Sequence, residues 1–304
     1  MSQDHAILLH CPAKVNLALS VGAPQPNGMH PIASLMCSLT FGDELKLEKA
    51  KARSSFDIQF VKLSEDDDQA MGIVDWPLEK DLAYRALLAV ETHVGHKLPI
   101  MATIRKRIPA GAGLAGGSGN AAGILVGLNR LYDLNLSTDT LTQLARLLGS
   151  DVVFVVHAMQ QQLSAAIVSG FGENITPMNL VQVVHMVLIF PPFGCPTGPV
   201  YGAFDQLLQN PAKQADLPMV EQLAIKSVIE QHDPFNDLAQ AACDVQPDLG
   251  TLQQQLADSL QLPVHITGSG STMYLICPNS HTAQASARRI RAEFGLKTIA
   301  TRTM

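Results

Sequence analysis

Pro109-Ala110-Gly111-Ala112-Gly113-Leu114-Ala115-Gly116-Gly117-Ser118-Gly119-Asn120 is the stretch on which the reading of this chain turns. Five glycines fall within nine residues, and an apolar helical pattern follows from Ala121 to about Tyr132. Glycine lets a backbone approach a ligand closely, and a helix start presents unpaired N–H groups with a positive dipole. The combination predicts a phosphate cradle, and Ser118 could cap the helix or offer its hydroxyl to a phosphate or a metal. A flexible linker is the plain alternative, although linkers seldom join such glycine density to so apolar a helix.

Two familiar phosphate loops fit poorly. Gly111, Gly113 and Gly116 match the dinucleotide fingerprint, with Asp133 beyond them. The strand entering the loop, however, carries Arg105, Lys106 and Arg107, whereas a central parallel strand should be continuously apolar. No Gly-Lys-Ser/Thr closes the loop, which removes a Walker A site.

Upstream, residues 100–108 alternate, with Ile104 and Ile108 on one face and Arg105 and Arg107 on the other. Asp81 caps a helix whose buried stripe is Leu82, Ala86, Leu87, Val90 and Val94. Residues 15–19 and 44–47 read as strands, residues 24–28 as a turn, and the acidic residues 64–68 as a solvated loop. Downstream, a helix is expected over residues 138–148, and Asp151 stands at a helix-to-strand junction that opens an apolar run. A break falls near Thr176-Pro177. A strand at residues 183–190, then helices, strands at 264–267 and 272–276, a helix at 282–294 and a strand at 296–301 follow in the order of a ferredoxin-like domain. The expected class is α+β, with domains at 1–176 and 177–304.

Composition narrows the function. The 304 residues are 47% hydrophobic and 5% aromatic, which predicts an aliphatic core. A net charge of −6 argues against a general binder of nucleic acid or anionic membrane. Cys11, Cys37, Cys195, Cys243 and Cys277 are scattered and form neither a disulfide framework nor a zinc pair, so a reducing cytoplasm is expected. Residues 1–10 lack a leader pattern, and residues 183–192 are too short to span a bilayer. His93 and His96 lack a carboxylate partner, so zinc is not expected there.

Three separated motifs resemble those of the GHMP kinase superfamily: Pro12-Ala13-Lys14-Val15-Asn16-Leu17, then residues 109–122, then Ile266-Thr267-Gly268-Ser269-Gly270-Ser271-Thr272. Asn27-Gly28-Met29-His30, Gly149-Ser150-Asp151-Val152 and Phe235-Asn236-Asp237-Leu238 resemble the branch that phosphorylates a cytidine-diphosphate-linked methylerythritol. The chain departs from that pattern at Met29, Ala115, Gly119, Val153 and residues 158–162. The resemblance implies an N-terminal domain like the second domain of ribosomal protein S5, a ferredoxin-like C-terminal domain, and an ATP- and Mg²⁺-dependent kinase, monomeric or homodimeric. Homoserine- or mevalonate-type kinases and a non-catalytic nucleotide binder are the alternatives.

The same resemblance assigns the site. Asp151 accepts the proton of the alcohol, and Lys14 steadies the developing alkoxide. Pro109, Gly111, Gly113, Leu114, Gly116, Gly117, Ser118, Gly119 and Asn120 hold ATP, with Lys106 and Asp81 towards its adenine end and Ser118 near the metal. Asn16, Thr197, Gly268 and Ser269 hold the substrate, while His30 reads the cytosine edge and Tyr201 stacks on its ring. From the residues alone, a lysine such as Lys14 is more often a solvated strand charge and an aspartate such as Asp151 more often a turn residue; a turn histidine is the alternative for His30, and core packing is as good a reading of Tyr201 as stacking.

Overall fold

The computed structural model describes residues 6–63 and 69–304, so the acidic segment 64–68 and the first five residues lie outside it. The described chain forms two compact units, neither contiguous in sequence. Of the described residues, one comprises 6–13, 41–63, 69–110 and 115–163; the other comprises 14–40, 111–114 and 164–304. Thr176 and Pro177, where a break was expected, lie inside one strand.

Strands β1 (Ile7–Val21) and β2 (Ile32–Lys49) contribute a half to each unit. In the first unit, β3 (Ser55–Phe60) pairs in parallel with β4 (Ile100–Lys106), and β4 pairs antiparallel with residues 44–49 of β2. Four helices accompany these strands: α1 (Leu82–Val94), α2 (Gly116–Leu131), α3 (Thr138–Arg146) and α4 (Ser150–Gln161). Helix α1 begins where Asp81 Oδ1 accepts from the Ala83 amide at 2.8 Å, as an N-cap should. Its buried face is Ala83, Ala86, Leu87, Val90 and Glu91, while Leu82 and Val94 are half-buried.

Two helices depart from expectation. Helix α2 starts at Gly116, five residues before the expected Ala121. Glycine's poor intrinsic propensity hides this turn in the sequence, and tertiary packing overrides it. A glycine at 116 lets the helix start close against Ile108, and glycines at 123 and 127 bring it against Cys11 and Leu47. The apolar run after Asp151 is α4 rather than a strand, so Asp151 sits in a first helical turn. Val152, Val153, Phe154, Val155 and Val156 are all buried, and β-branched richness in so enclosed a run imitates a strand.

In the second unit, residues 32–37 of β2 pair with β5 (Ala165–Gly170), which pairs with β6 (Asn174–Met178). Residues 18–19 of β1 pair in parallel with β8 (Phe235–Asn236). A separate antiparallel sheet has the order β11-β7-β10-β9, built from β7 (His185–Phe190), β9 (His265–Ile266), β10 (Met273–Cys277) and β11 (Lys297–Arg302). Its helices are α5 (Thr197–Leu207), α6 (Leu217–Ala224), α7 (Ala239–Val245), α8 (Pro247–Leu260) and α9 (Ser280–Phe294). This is the ferredoxin-like arrangement, with Val187, Ile189, Leu249, Leu256, Met273, Leu275 and Ile290 in its core. Among the described residues no helix is long and apolar enough to cross a membrane.

Candidate active site

Three sequence-distant motifs meet within the second unit. Strand β1 carries Lys14 and Asn16, both buried, and the Lys14 ammonium donates to Asn16 Oδ1 at 2.8 Å. Asn16 is fixed from every side. Its amide nitrogen donates to Ser34 Oγ at 2.7 Å, its backbone N–H to Thr267 Oγ1 at 3.0 Å, and its carbonyl accepts from the Tyr274 hydroxyl at 3.0 Å. Burial pushes the Tyr274 phenol well above its ordinary value, which keeps it a donor. Lys14 is therefore held in one place rather than left on a solvated strand face.

The entering half of the glycine loop lies against the same group. The Lys14 amide donates to the Leu114 carbonyl at 3.1 Å. A methyl on Gly113 would stand 2.9 Å from the carbonyl oxygens of both Thr267 and Gly270, so only glycine permits this approach. A methyl on Gly268 would lie 3.6 Å from the Lys14 ammonium and from Asn16 Oδ1. Asn236 braces this loop from below, its amide donating to the carbonyls of Ile266 and Gly268 at 2.8 Å each.

Helix α5 supplies a second wall. Thr197, Tyr201 and Asp205 recur every four residues and so share one helical face. At one end Thr197 Oγ1 lies 3.0 Å from Ser269 Oγ. At the other, His30 Nε2 lies 2.7 Å from Asp205 Oδ1, and the His30 ring stands 4.8 Å from that of Tyr201. His30 is thus anchored rather than left as a turn residue. Tyr201 is half-buried and also touches the core, so it is neither a free plate nor a pure core aromatic.

The first unit, described by itself, carries the other residues singled out in the sequence. Ala115, in the left-handed region at φ 59°, turns the chain into α2 without any side-chain cap. The first-turn amides are left to a ligand or to water. Gly117 is exposed and Ser118 half-buried. Asp151 is half-buried in the first turn of α4, where the helix dipole favours a negative charge. Pro109 precedes the loop, and Gly119 and Asn120 are buried inside α2. Two residues expected near the nucleotide have other partners. Lys106 is buried and its ammonium lies 2.7 Å from Asp43 Oδ2, because parity places it on the core face of β4 with Ile104. Both Asp81 oxygens are engaged, one in the helix cap and one by the Trp76 indole at 2.8 Å.

Several participants escaped the sequence reading. Asp205 was detectable from its helical spacing to Tyr201, and Thr267 and Asn236 lie within motifs already singled out. Asp43 shares the inward parity of Leu45 and Leu47 on β2, and an acid at an inward position demands a partner. Tyr274 left no signal in the sequence. Among the described residues no group of three or more His, Cys, Asp or Glu could hold a metal ion.

Residues 81–185 match the GHMP kinases N-terminal domain. The 4-diphosphocytidyl-2-C-methyl-D-erythritol kinase of Nocardia farcinica is 32% identical to this chain, over 93% of it and 89% of the relative. The enzyme of the same name from Symbiobacterium thermophilum is also 32% identical, over 93% and 95%. A crystal structure of 4-(cytidine 5'-diphospho)-2C-methyl-D-erythritol kinase superposes with a TM-score of 0.75 at 28% identity, covering 98% of this chain and 100% of that one.

Proposed function

The chain belongs to the GHMP kinases, in the branch of the 4-diphosphocytidyl-2-C-methyl-D-erythritol kinases, and from that premise we propose that it phosphorylates the 2-hydroxyl of 4-diphosphocytidyl-2-C-methyl-D-erythritol. It is an ATP-dependent small-molecule kinase. The observation that carries the reading of the site is the convergence of Lys14, Thr267 and Gly268 on Asn16, with Gly113 packed against Thr267.

Phosphoryl transfer asks the protein for alignment and charge neutralisation more than for covalent chemistry. Asp151 takes the proton from the acceptor hydroxyl as that oxygen bonds to the terminal phosphorus, and ADP departs. Lys14, pointed by Asn16, offsets negative charge on the reacting oxygens. The amides of residues 111–119, with the Ser118 hydroxyl, hold the phosphates. His30 and Tyr201 take the cytosine edge and ring, and Thr197, Gly268 and Ser269 the remainder of the acceptor. A Mg²⁺ ion brought with the nucleotide would supply further charge neutralisation. The Ser118 hydroxyl would meet such an ion, with phosphate oxygens supplying its other ligands. Five unpaired cysteines fit a reducing cytoplasm.

Asp151→Asn tests the assignment. Transfer to the cytidine-linked acceptor falls by about three orders of magnitude or more, as expected for a lost general base in an aligned site, while ATP binding by calorimetry is retained. Comparable turnover in the two proteins removes Asp151 from the mechanism.

A further inference from the structure

Asp43 is wholly buried and accepts four hydrogen bonds. Its Oδ1 takes the backbone amides of Arg107 at 2.6 Å and Ile108 at 2.8 Å. Its Oδ2 takes the Lys106 ammonium at 2.7 Å and the Asn120 side-chain amide at 3.0 Å. A carboxylate has about four lone-pair sites, so every one is filled and none remains for a metal or a substrate. Because a carboxylate only accepts, the Asn120 group facing it must be the NH₂.

The four donors sit at chosen places. Lys106, Arg107 and Ile108 end β4 and lead into the glycine loop; Asn120 lies in the second turn of the helix that leaves it. Lys106 and Asn120, like Asp43, are almost fully buried, and Arg107 is pinned again where its guanidinium donates to the Leu63 carbonyl at 3.1 Å. A buried ion pair is a poor source of net stability, since desolvation consumes most of its Coulomb gain. Where such a pair also grips two backbone amides, its contribution is geometric.

We propose that Asp43 is the positioning residue of the phosphate loop, its carboxylate tying the end of β4 to α2 and so fixing how far apart the loop's two ends stand. The proposal rests on the reading that residues 111–119 hold the triphosphate. In it Lys106 is the counter-ion of Asp43 and not a nucleotide ligand.

The test separates hydrogen-bond geometry from charge. Asp43→Ala/Lys106→Met and Asp43→Asn/Lys106→Met both remove the buried charges. In the second, the asparagine oxygen still accepts the Arg107 and Ile108 amides, and its NH₂ meets Asn120 once that amide turns over. The alanine pair raises the KM for ATP about tenfold, with kcat and the KM for the alcohol within about twofold, whereas the asparagine pair recovers most of the ATP affinity. Asp43→Asn alone, which leaves the Lys106 ammonium facing an NH₂, also raises the ATP KM, and adding Lys106→Met lowers it again. A purely structural role would reduce the active fraction and leave both KM values in place, and that result overturns the proposal. So does an ATP KM unchanged in the alanine pair or, if that pair does not fold, in Asp43→Asn. Gly117→Ala run alongside distinguishes the failures: if it raises the ATP KM while the Asp43 variants do not, positioning by Asp43 is lost; if neither moves it, the loop assignment goes too.

Discussion

Gly117→Ala should make the protein more stable and a worse ATP binder at once. Gly117 is exposed in the first turn of α2, and a methyl there would meet only Leu82 Cδ1 at 3.6 Å, an ordinary contact. Replacing glycine by alanine within a helix gains up to about 1 kcal/mol, and about half that is reasonable for a first turn. For a chain of this size the melting temperature should rise by about 1–2 °C. If phosphate oxygens approach this backbone, the methyl occupies their place and removes a charge-assisted hydrogen bond of about 1.5–3 kcal/mol, which is about 10- to 150-fold in affinity. Gly116→Ala is the internal control. Its methyl would stand 2.8 Å from Ile108 Cγ2, and Ile108 is 1% exposed, so overpacking costs about 1–3 kcal/mol and the protein melts earlier. The measurements are KM for ATP in a coupled ADP-release assay and a thermal melt without nucleotide. A Gly117→Ala protein that melts later yet keeps its ATP KM within about twofold would refute the phosphate cradle.

Lys14→Met, which empties the position fixed by Asn16, is expected to lower kcat by at least about a hundredfold with little change in either KM, as for an interaction made in the transition state alone. Equal losses in kcat and substrate binding would instead make Lys14 a ground-state ligand. Tyr201→Ala should raise the KM for the cytidine-linked acceptor by about tenfold or more while leaving that for ATP in place, since base stacking is worth about 1–3 kcal/mol. Two histidines contribute to the loss of stability just below neutral pH. Burial, foremost, holds the imidazoles of His157 and His265 below the ordinary histidine value. The unfolded chain therefore takes up protons before the folded one as pH falls through about 6.5, and stability declines below that point. Urea midpoints at pH 7.5 and 5.5 should differ less in His157→Gln/His265→Gln than in the parent protein; an identical drop removes these two groups as its cause.

How much of this was readable from residues alone depended on the range of the interaction. Periodicity placed β4, α1 and α3, and the ferredoxin-like order of the C-terminal half, because those patterns express neighbours a few positions apart. The start of α2 was not readable, because its glycines serve contacts with Ile108, Cys11 and Leu47 on other parts of the chain. Helix α4 was misread for a related reason. Five consecutive buried residues erase the polar face by which an amphipathic helix announces itself.

Charged residues near the loop were the hardest to read, and they change how the site is understood. Arg105, Lys106 and Arg107 look like a basic approach to a polyanion. In the folded unit Arg105 pairs with Asp57 at 2.9 Å, Lys106 with Asp43, and Arg107 reaches the Leu63 carbonyl. Three cations that sequence would offer to phosphate are bound to partners 44 to 63 positions away. What the start of α2 offers an anion is its uncapped backbone amides, which carry no side chain to identify them. That is why glycine content located the loop in the sequence, while the partners of the neighbouring lysine and arginines, far off along the chain, were not legible there.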